Sequence, residues 1–383
     1  MERPIQKILV IHQGALGDFL CFLPALASLR RSIPHAHVTL MGYPRILELA
    51  EGRYYGDAVV SVERAEVALL YQERKRPPRA FEDFLRTFQL ICVVGSGKGP
   101  FVRNLQAISG ARVVAVPPFP PRGEKVHMVD HLLSLPRCMG LPVPGDVPEL
   151  RLSDKDRVEA QRLLGSLGID SESRLIAIHP GSGSPAKVWP IERFRTLAQA
   201  LRLAYKAMIL FIMGPGEEQV REELLECRRP EGSVVVEGLS LPELGALLEK
   251  CSIFIGNDSG VTHLAAAVGV PVVAIFGPSD PARWAPRGRK IVLVSKDISC
   301  APCDRQAMAR CKVRRCLLDI PVDQVFQAVG RIMGKDSRGR SRFLNLPADF
   351  PDRAGGDVVP CVRMRAGGIE KGGLPWQRKR WEQ

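Results

Sequence analysis

The sequence predicts an α/β protein built from two halves, each a parallel sheet covered by helices. Three observations carry that expectation. Eleven short runs rich in Val, Ile and Leu alternate with helical patterns along the chain. Most of these runs are apolar almost throughout rather than alternating, as suits strands buried on both faces. And 383 residues are more than one hydrophobic core usually organises.

The expected strands of the first half are 7–12, 38–41, 58–62, 90–94 and 113–116. Those of the second are 175–179, 209–213, 234–236, 253–255, 272–276 and 291–294. A linker is expected within 141–148, where prolines and a glycine interrupt the apolar residues, followed by a helix over 154–167. The division is then 1–150, 151–334 and a tail at 335–383. That tail has eleven Lys/Arg against six Asp/Glu, is rich in Gly, Pro and Arg, and lacks periodicity, so it reads as disordered.

Three loops carry chemistry. The first strand ends in Gln13-Gly14-Ala15-Leu16-Gly17-Asp18, ahead of a helix expected over 19–31. Gly14 and Gly17 free the backbone at the carboxyl end of the strand, where open α/β sheets bind ligands. Asp18 at that mouth is either a helix cap or a general base facing a substrate. The strand 175–179 runs into Pro180-Gly-Ser182-Gly-Ser184-Pro-Ala-Lys187-Val-Trp189-Pro190. A Gly/Ser loop with one lysine suits a diphosphate, hydroxyl and N–H donors wrapping the oxygens while the ammonium supplies charge. The strand 253–255 is followed by Gly256-Asn257-Asp258-Ser259-Gly260 and an Ala-rich helix. Its unpaired N–H groups form an anion site, or else Asn-Asp-Ser simply caps an ordinary βαβ unit.

Neither nucleotide fingerprint is present. The first loop is not Gly-x-Gly-x-x-Gly, which argues against a Rossmann oxidoreductase or epimerase. The run Gly95-Ser-Gly-Lys98-Gly99 has the wrong glycine spacing for a P-loop, and Gly99 stands where a magnesium-binding hydroxyl would be.

Taken together, Gly14-Ala-Leu-Gly-Asp18, His179-Pro-Gly-Ser with Lys187, Trp189 and Pro190, and Asn257-Asp258-Ser259-Gly260 with His263-Leu264-Ala265 resemble glycosyltransferase family 9, the ADP-heptose:lipopolysaccharide heptosyltransferases. Phe276-Gly-Pro-Ser-Asp280-Pro281, Trp284 and Pro286 also fit, so the resemblance spans about 7–330. It implies the GT-B architecture, two Rossmann-like domains facing across a cleft, with the nucleotide-sugar donor held mainly by the second. It implies inverting transfer of a sugar, heptose from ADP-heptose, to a lipopolysaccharide-core or related glycan. Asp18 would take the acceptor proton and Lys187 would neutralise the leaving diphosphate. Ser259, Gly260 and Val261 would line the diphosphate, with the Ser182 and Ser184 hydroxyls helping Lys187. Asp258 would contact the sugar or only the turn backbone, His263 would touch phosphate or simply pack, and Glu217 would accept the ribose hydroxyls or be a first-turn helix acid. No Asp-x-Asp pair falls among these residues, so no obligatory cofactor or metal is expected. A non-catalytic sugar-nucleotide scaffold is the alternative, against which Asp18 and Lys187 together speak. The chain departs from the family pattern at 95–100, after a strand in which relatives often carry an acidic residue.

The formal net charge is +13, with 54 Lys and Arg against 41 Asp and Glu. Basic stretches such as 74–79 suit anionic lipid headgroups or phosphorylated sugars. Aromatics are 6% of the chain and are not interleaved with these charges, so nucleic acid is not an expected partner. No run reaches 18 apolar residues, and His12, Gln13 and Asp18 break the N-terminal one, giving neither a membrane span nor a signal peptide. The expected location is the cytoplasm, with peripheral contact at the inner membrane face if the acceptor is lipid-linked. Cys300, Cys303, Cys311 and Cys316 form a cluster that is either a structural metal site, Cys₄ zinc or Fe–S being conceivable, or a set of reduced or occasionally oxidised thiols.

Overall fold

The computed structural model describes residues 5–73, 76–121, 123–143, 145–215, 217–226, 232–334, 362–365 and 368–371. The first half contains strands β1 (Lys7–His12), β2 (His37–Gly42), β3 (Ala58–Ser61), β4 (Leu90–Val94) and β5 (Arg112–Val116). All pair in parallel, in the order β3-β2-β1-β4-β5. The second half contains β6 (Leu175–His179), β7 (Met208–Met213), β8 (Ser233–Glu237), β9 (Ile253–Asn257), β10 (Val272–Phe276) and β11 (Ile291–Ser295). These run β11-β10-β9-β6-β7-β8, again parallel. Each order reverses once, between β1 and β4 and between β9 and β6. At those two points adjacent loops leave the sheet in opposite directions and open a crevice.

All eleven expected strands are present, displaced by two residues at most. The first helix is longer than its pattern suggested. It spans Leu16–Ser32, starting three residues early, which puts Asp18 in its first turn rather than before it. Two later helices open on reciprocal caps, Ser153 with Asp156 and Ser240 with Glu243. Of the tail, the described parts are β12 (Val362–Arg365) and β13 (Gly368–Lys371), an antiparallel pair laid beside β8 through Val362 and Arg363. The expectation of disorder otherwise lies outside the described residues.

The two halves share apolar packing. One continuous cluster runs from Val10 and Cys92 in the first sheet, through Leu20 and Leu264, to Phe254 and Ala274 in the second. The helices Leu16–Ser32 and Gly260–Ala267 pack against each other at its centre. Here the fit is tight: a Cβ on Gly260 would meet Leu16 Cβ at 2.9 Å, so glycine is what lets the two backbones approach.

Charged groups fasten the periphery. Arg53 pairs with Asp156 through two bonds of 3.0 and 2.6 Å. Arg287 bonds Asp130 at 2.9 and 2.6 Å and Asp146 at 2.6 Å. Leu241 N–H donates to Glu48 Oε1 at 3.0 Å. These partners lie more than a hundred residues apart in sequence, so no local pattern announces them. Among the described residues, no helix is long and apolar enough to cross a membrane.

Candidate functional site

The loops after β1, β6 and β9 meet where the carboxyl ends of the two sheets face each other. The β9 loop is the organiser. Asn257, fully buried, donates its amide to Pro180 O (2.8 Å) and Gly181 O (3.1 Å) and accepts from Trp189 N (3.0 Å). One side chain thereby satisfies both ends of the loop 180–190. Ser182 Oγ adds a bond to Asp258 O at 2.9 Å. Trp189 anchors the far end, fully buried, with its indole N–H on Ile320 O at 3.1 Å.

Pinned in this way, the loop delivers Lys187. Its ammonium lies 2.7 Å from Asp258 Oδ2, with the two side chains 28% and 8% exposed. Beside the pair starts the helix Gly260–Ala267. Ser259 caps it by accepting from Thr262 N, which leaves the N–H groups of Gly260 and Val261 without intrahelical partners. Hydroxyl, ammonium and helix N-terminus thus converge, the combination that binds an anionic oxygen cluster. Ser184 sits differently, its side chain accepting from Ala186 N as the cap of the short turn Pro185–Lys187.

Asp18 enters from the first half. Its Oδ2 accepts from Ala15 N at 3.0 Å, so it is not itself the N-cap, which is Ala15, but closes the helix start from inside the first turn. It also lies within electrostatic reach of Lys187 from the second half. Burial raises its pKa above the ordinary carboxylate value, while the Ala15 N–H and the charge of Lys187 work the other way. Lys187 therefore acts electrostatically on both carboxylates, one from each half. Gly14 is needed here, because a Cβ would fall 2.7 Å from both Asp18 Cβ and His12 Cε1. Gly17 is looser; its Cβ would meet His263 Cδ2 at an ordinary 3.4 Å.

Two of the expected donor-side residues also have partners within the protein. Glu217 Oε2 accepts from Gly214 N at 2.7 Å and Oε1 lies 3.3 Å from His179 Nε2. A Cβ on Gly181 would overlap that carboxylate at 1.7 Å, so Gly181 exists to admit it. His263 is buried between the halves with Nδ1 3.8 Å from Cys21 Sγ. Burial lowers its pKa to about 4, and it lowers His12 likewise to about 4.

That depression has a stability consequence. Unfolded imidazoles take up a proton near their ordinary 6.5, whereas the folded ones resist until about 4. Between those values the unfolded chain binds more protons, so stability is full above about pH 6.5 and declines as pH falls toward about 4. Urea unfolding at about pH 5 should show a loss of about 2 kcal/mol per histidine relative to about pH 7.5. Asp18 and Glu48, whose pKa values are raised, oppose this loss. His12→Asn isolates one histidine: the variant's pH slope should be shallower than wild type by its share. An unchanged slope would refute the assignment.

The four cysteines line one small cavity next to Ala186 and Pro278. Arg314 donates to Pro185 O and Cys303 N to Pro278 O (2.8 Å), so this segment braces the lysine loop from outside. Among the described residues, no three His, Cys, Asp or Glu side chains are placed to hold one ion.

Two crevices at strand-order reversals, a lysine at a helix N-terminus and a half-buried carboxylate opposite are consistent with sugar-nucleotide chemistry, and comparison with known proteins decides the family. A model described as glycosyltransferase family 9 (heptosyltransferase) matches residues 100–313, more than half of the chain. The chain belongs to glycosyltransferase family 9. It is an enzyme of that class, a glycosyltransferase. It is similar to lipopolysaccharide heptosyltransferase 3 of Escherichia coli, 24% identical over 85% of this chain and 98% of that one. Its fold is similar to the glycosyl transferase family 9 protein of Veillonella parvula (21% identity, TM-score 0.71, 87% of this chain and 98% of that one). It is also similar to that of E. coli ADP-heptose lps heptosyltransferase II (20% identity, TM-score 0.68, 85% and 98%). The GT-B arrangement expected from the motifs is thus the fold of this family 9 glycosyltransferase.

Residues that the sequence left unassigned also matter to the site. Asn257 gave its signal within the Asn-Asp-Ser-Gly turn. Asp130 and His127, which carried no role, reach the other half through Arg287 and Ala285 O. Tyr71 gave no signal at all.

Proposed function

We propose that this glycosyltransferase moves a heptose from ADP-heptose to a lipopolysaccharide-core or related glycan, with inversion at the anomeric carbon. The observation that carries the reading is Lys187, held 2.7 Å from Asp258 at a helix N-terminus and facing the half-buried Asp18 of the other half. The names borne by the E. coli relatives, lipopolysaccharide heptosyltransferase 3 and ADP-heptose lps heptosyltransferase II, support the sugar and the acceptor.

In this reading the donor diphosphate lies against the Gly260 and Val261 N–H groups, with Ser182 and Ser259 beside it. Ser184 and His263 support that wall, and Glu217 reaches the ribose side. The acceptor hydroxyl oxygen attacks the anomeric carbon as the bond from that carbon to the diphosphate oxygen breaks. Asp18 takes the hydroxyl proton, and the departing ADP keeps the bonding electron pair. Charge on the diphosphate rises as it leaves, and Lys187 with the helix N-terminus meets that charge in place. The chemistry needs no cofactor in this scheme. The acceptor is taken to be lipid-linked, bringing the basic surface to the cytoplasmic face of the inner membrane.

Calorimetric titration of the purified protein with ADP, GDP, UDP and NAD at fixed salt tests the donor. Selective binding of ADP is the expected result. Preference for UDP or GDP would replace the sugar nucleotide, NAD alone would overturn the class of ligand, and silence from all four would favour a non-catalytic scaffold.

A further inference from the structure

The first sheet has its own strand-order reversal, between β1 and β4, and a ligand crevice is expected there just as at the donor site. One side chain bridges the loops that leave those two strands. Tyr71 stacks on Phe101, which opens the helix after β4, with ring centroids 4.5 Å apart and planes at 28°. Its hydroxyl donates to Oε1 of Gln13, in the loop after β1, at 2.9 Å. Asn104 fixes the flanking backbone by donating to Leu70 O (2.9 Å) and Gln72 O (3.0 Å). Phe101 is buried, yet Tyr71 remains 50% exposed. An aromatic ring held by three anchors with its outer face in water is a rigid platform, ordered in advance for a flat apolar partner.

We propose that the exposed face of Tyr71 is the seat of an acceptor sugar ring, whose C–H face stacks on the phenol. The inference rests on the transfer reading above, since it names the subsite from which the acceptor hydroxyl approaches Asp18. Gln13 lies five residues before Asp18 in the same loop and first turn, so the platform and the base are parts of one segment. A carbohydrate fits better than a nucleotide base, because the donor site already occupies the reversal in the second sheet.

The test is binding of a deacylated lipopolysaccharide core oligosaccharide, titrated by saturation-transfer NMR against wild type, Tyr71→Ala, Tyr71→Leu and Tyr71→Phe. ADP affinity is measured in parallel. Tyr71→Ala should weaken the oligosaccharide about tenfold, as loss of one stacked ring does. Tyr71→Leu, which keeps Phe101 covered, should show the same loss, and Tyr71→Phe should stay within about twofold. ADP affinity should not change. Equal oligosaccharide affinity in Tyr71→Leu and wild type would overturn the proposal, as would a Phe variant as weak as Leu or a wild type that does not bind. Failure of the transfer reading looks different: wild type would bind the oligosaccharide through Tyr71 yet transfer nothing from ADP-heptose.

Discussion

Asp18→Asn should lower transfer by a factor of about 10²–10⁴, leave ADP affinity essentially unchanged and raise the melting temperature. The three effects have one origin. The amide is isosteric and keeps an oxygen for the Ala15 N–H, so the first turn of the helix survives. What disappears is the ability to take a proton. The stability gain follows from the direction of the pKa shift. Burial raises the folded pKa of Asp18 above its unfolded 3.8, so the folded state binds the proton more readily. Stability associated with this group is therefore largest at low pH and is lost as pH rises through the folded value, where the charge must be buried. A neutral amide escapes that cost at every pH. In wild type, the acid limb of the rate profile should lie above the ordinary carboxylate range for the same reason. Rate assays, ADP calorimetry and thermal unfolding check the three parts, and undiminished transfer in the variant would remove Asp18 from the chemistry.

Lys187→Ala should weaken donor binding and reduce kcat together, by about 10²–10³ in kcat. Two losses combine. The leaving diphosphate loses the cation aimed at it, and Asp258 loses its 2.7 Å partner while remaining 8% exposed. Leaving that carboxylate unpaired should cost about 2 kcal/mol of stability, toward the low side for buried pairs because Lys187 is 28% exposed. Asp258→Asn distinguishes the two contributions. If Asp258 acts by positioning the ammonium, its replacement raises the donor KM, and adding it to Lys187→Ala costs no further activity. Additive losses in the double variant would instead give Asp258 a contact of its own with the donor.

Sequence alone determined the local elements: eleven strands, the chemistry-bearing loops after β1, β6 and β9, and the linker composition. Each depends on neighbours in the chain. A run such as Leu-Ile-Ala-Ile at 175–178 is buried on both faces wherever it lies in a parallel sheet, and a Gly-rich stretch after it turns regardless of what it meets. The candidate residues at the first and last of these loops were legible for the same reason, as helix-start residues at strand ends. The start of the first helix was missed because Leu16 and Gly17 carry no capping signal. The N-cap is Ala15, and Asp18 supplies the bond from inside the turn.

Only the tertiary structure decided what those residues do to one another. The order of strands places β1 beside β4 and β9 beside β6, and no periodicity encodes which neighbour a strand takes. Lys187 and Asp258 are 71 residues apart, Arg287 and Asp130 157 apart, and Tyr71 and Gln13 58 apart. Glu217, read from the sequence as a ribose-hydroxyl acceptor, is clasped between His179 and Gly214, in space that Gly181 leaves free. Hydrophobic patterning reports whether a residue is buried, because burial follows from the local period of the chain. Which polar groups then share the buried space is settled by the packing of distant segments, and the values of Asp18, His12 and His263 follow from that packing.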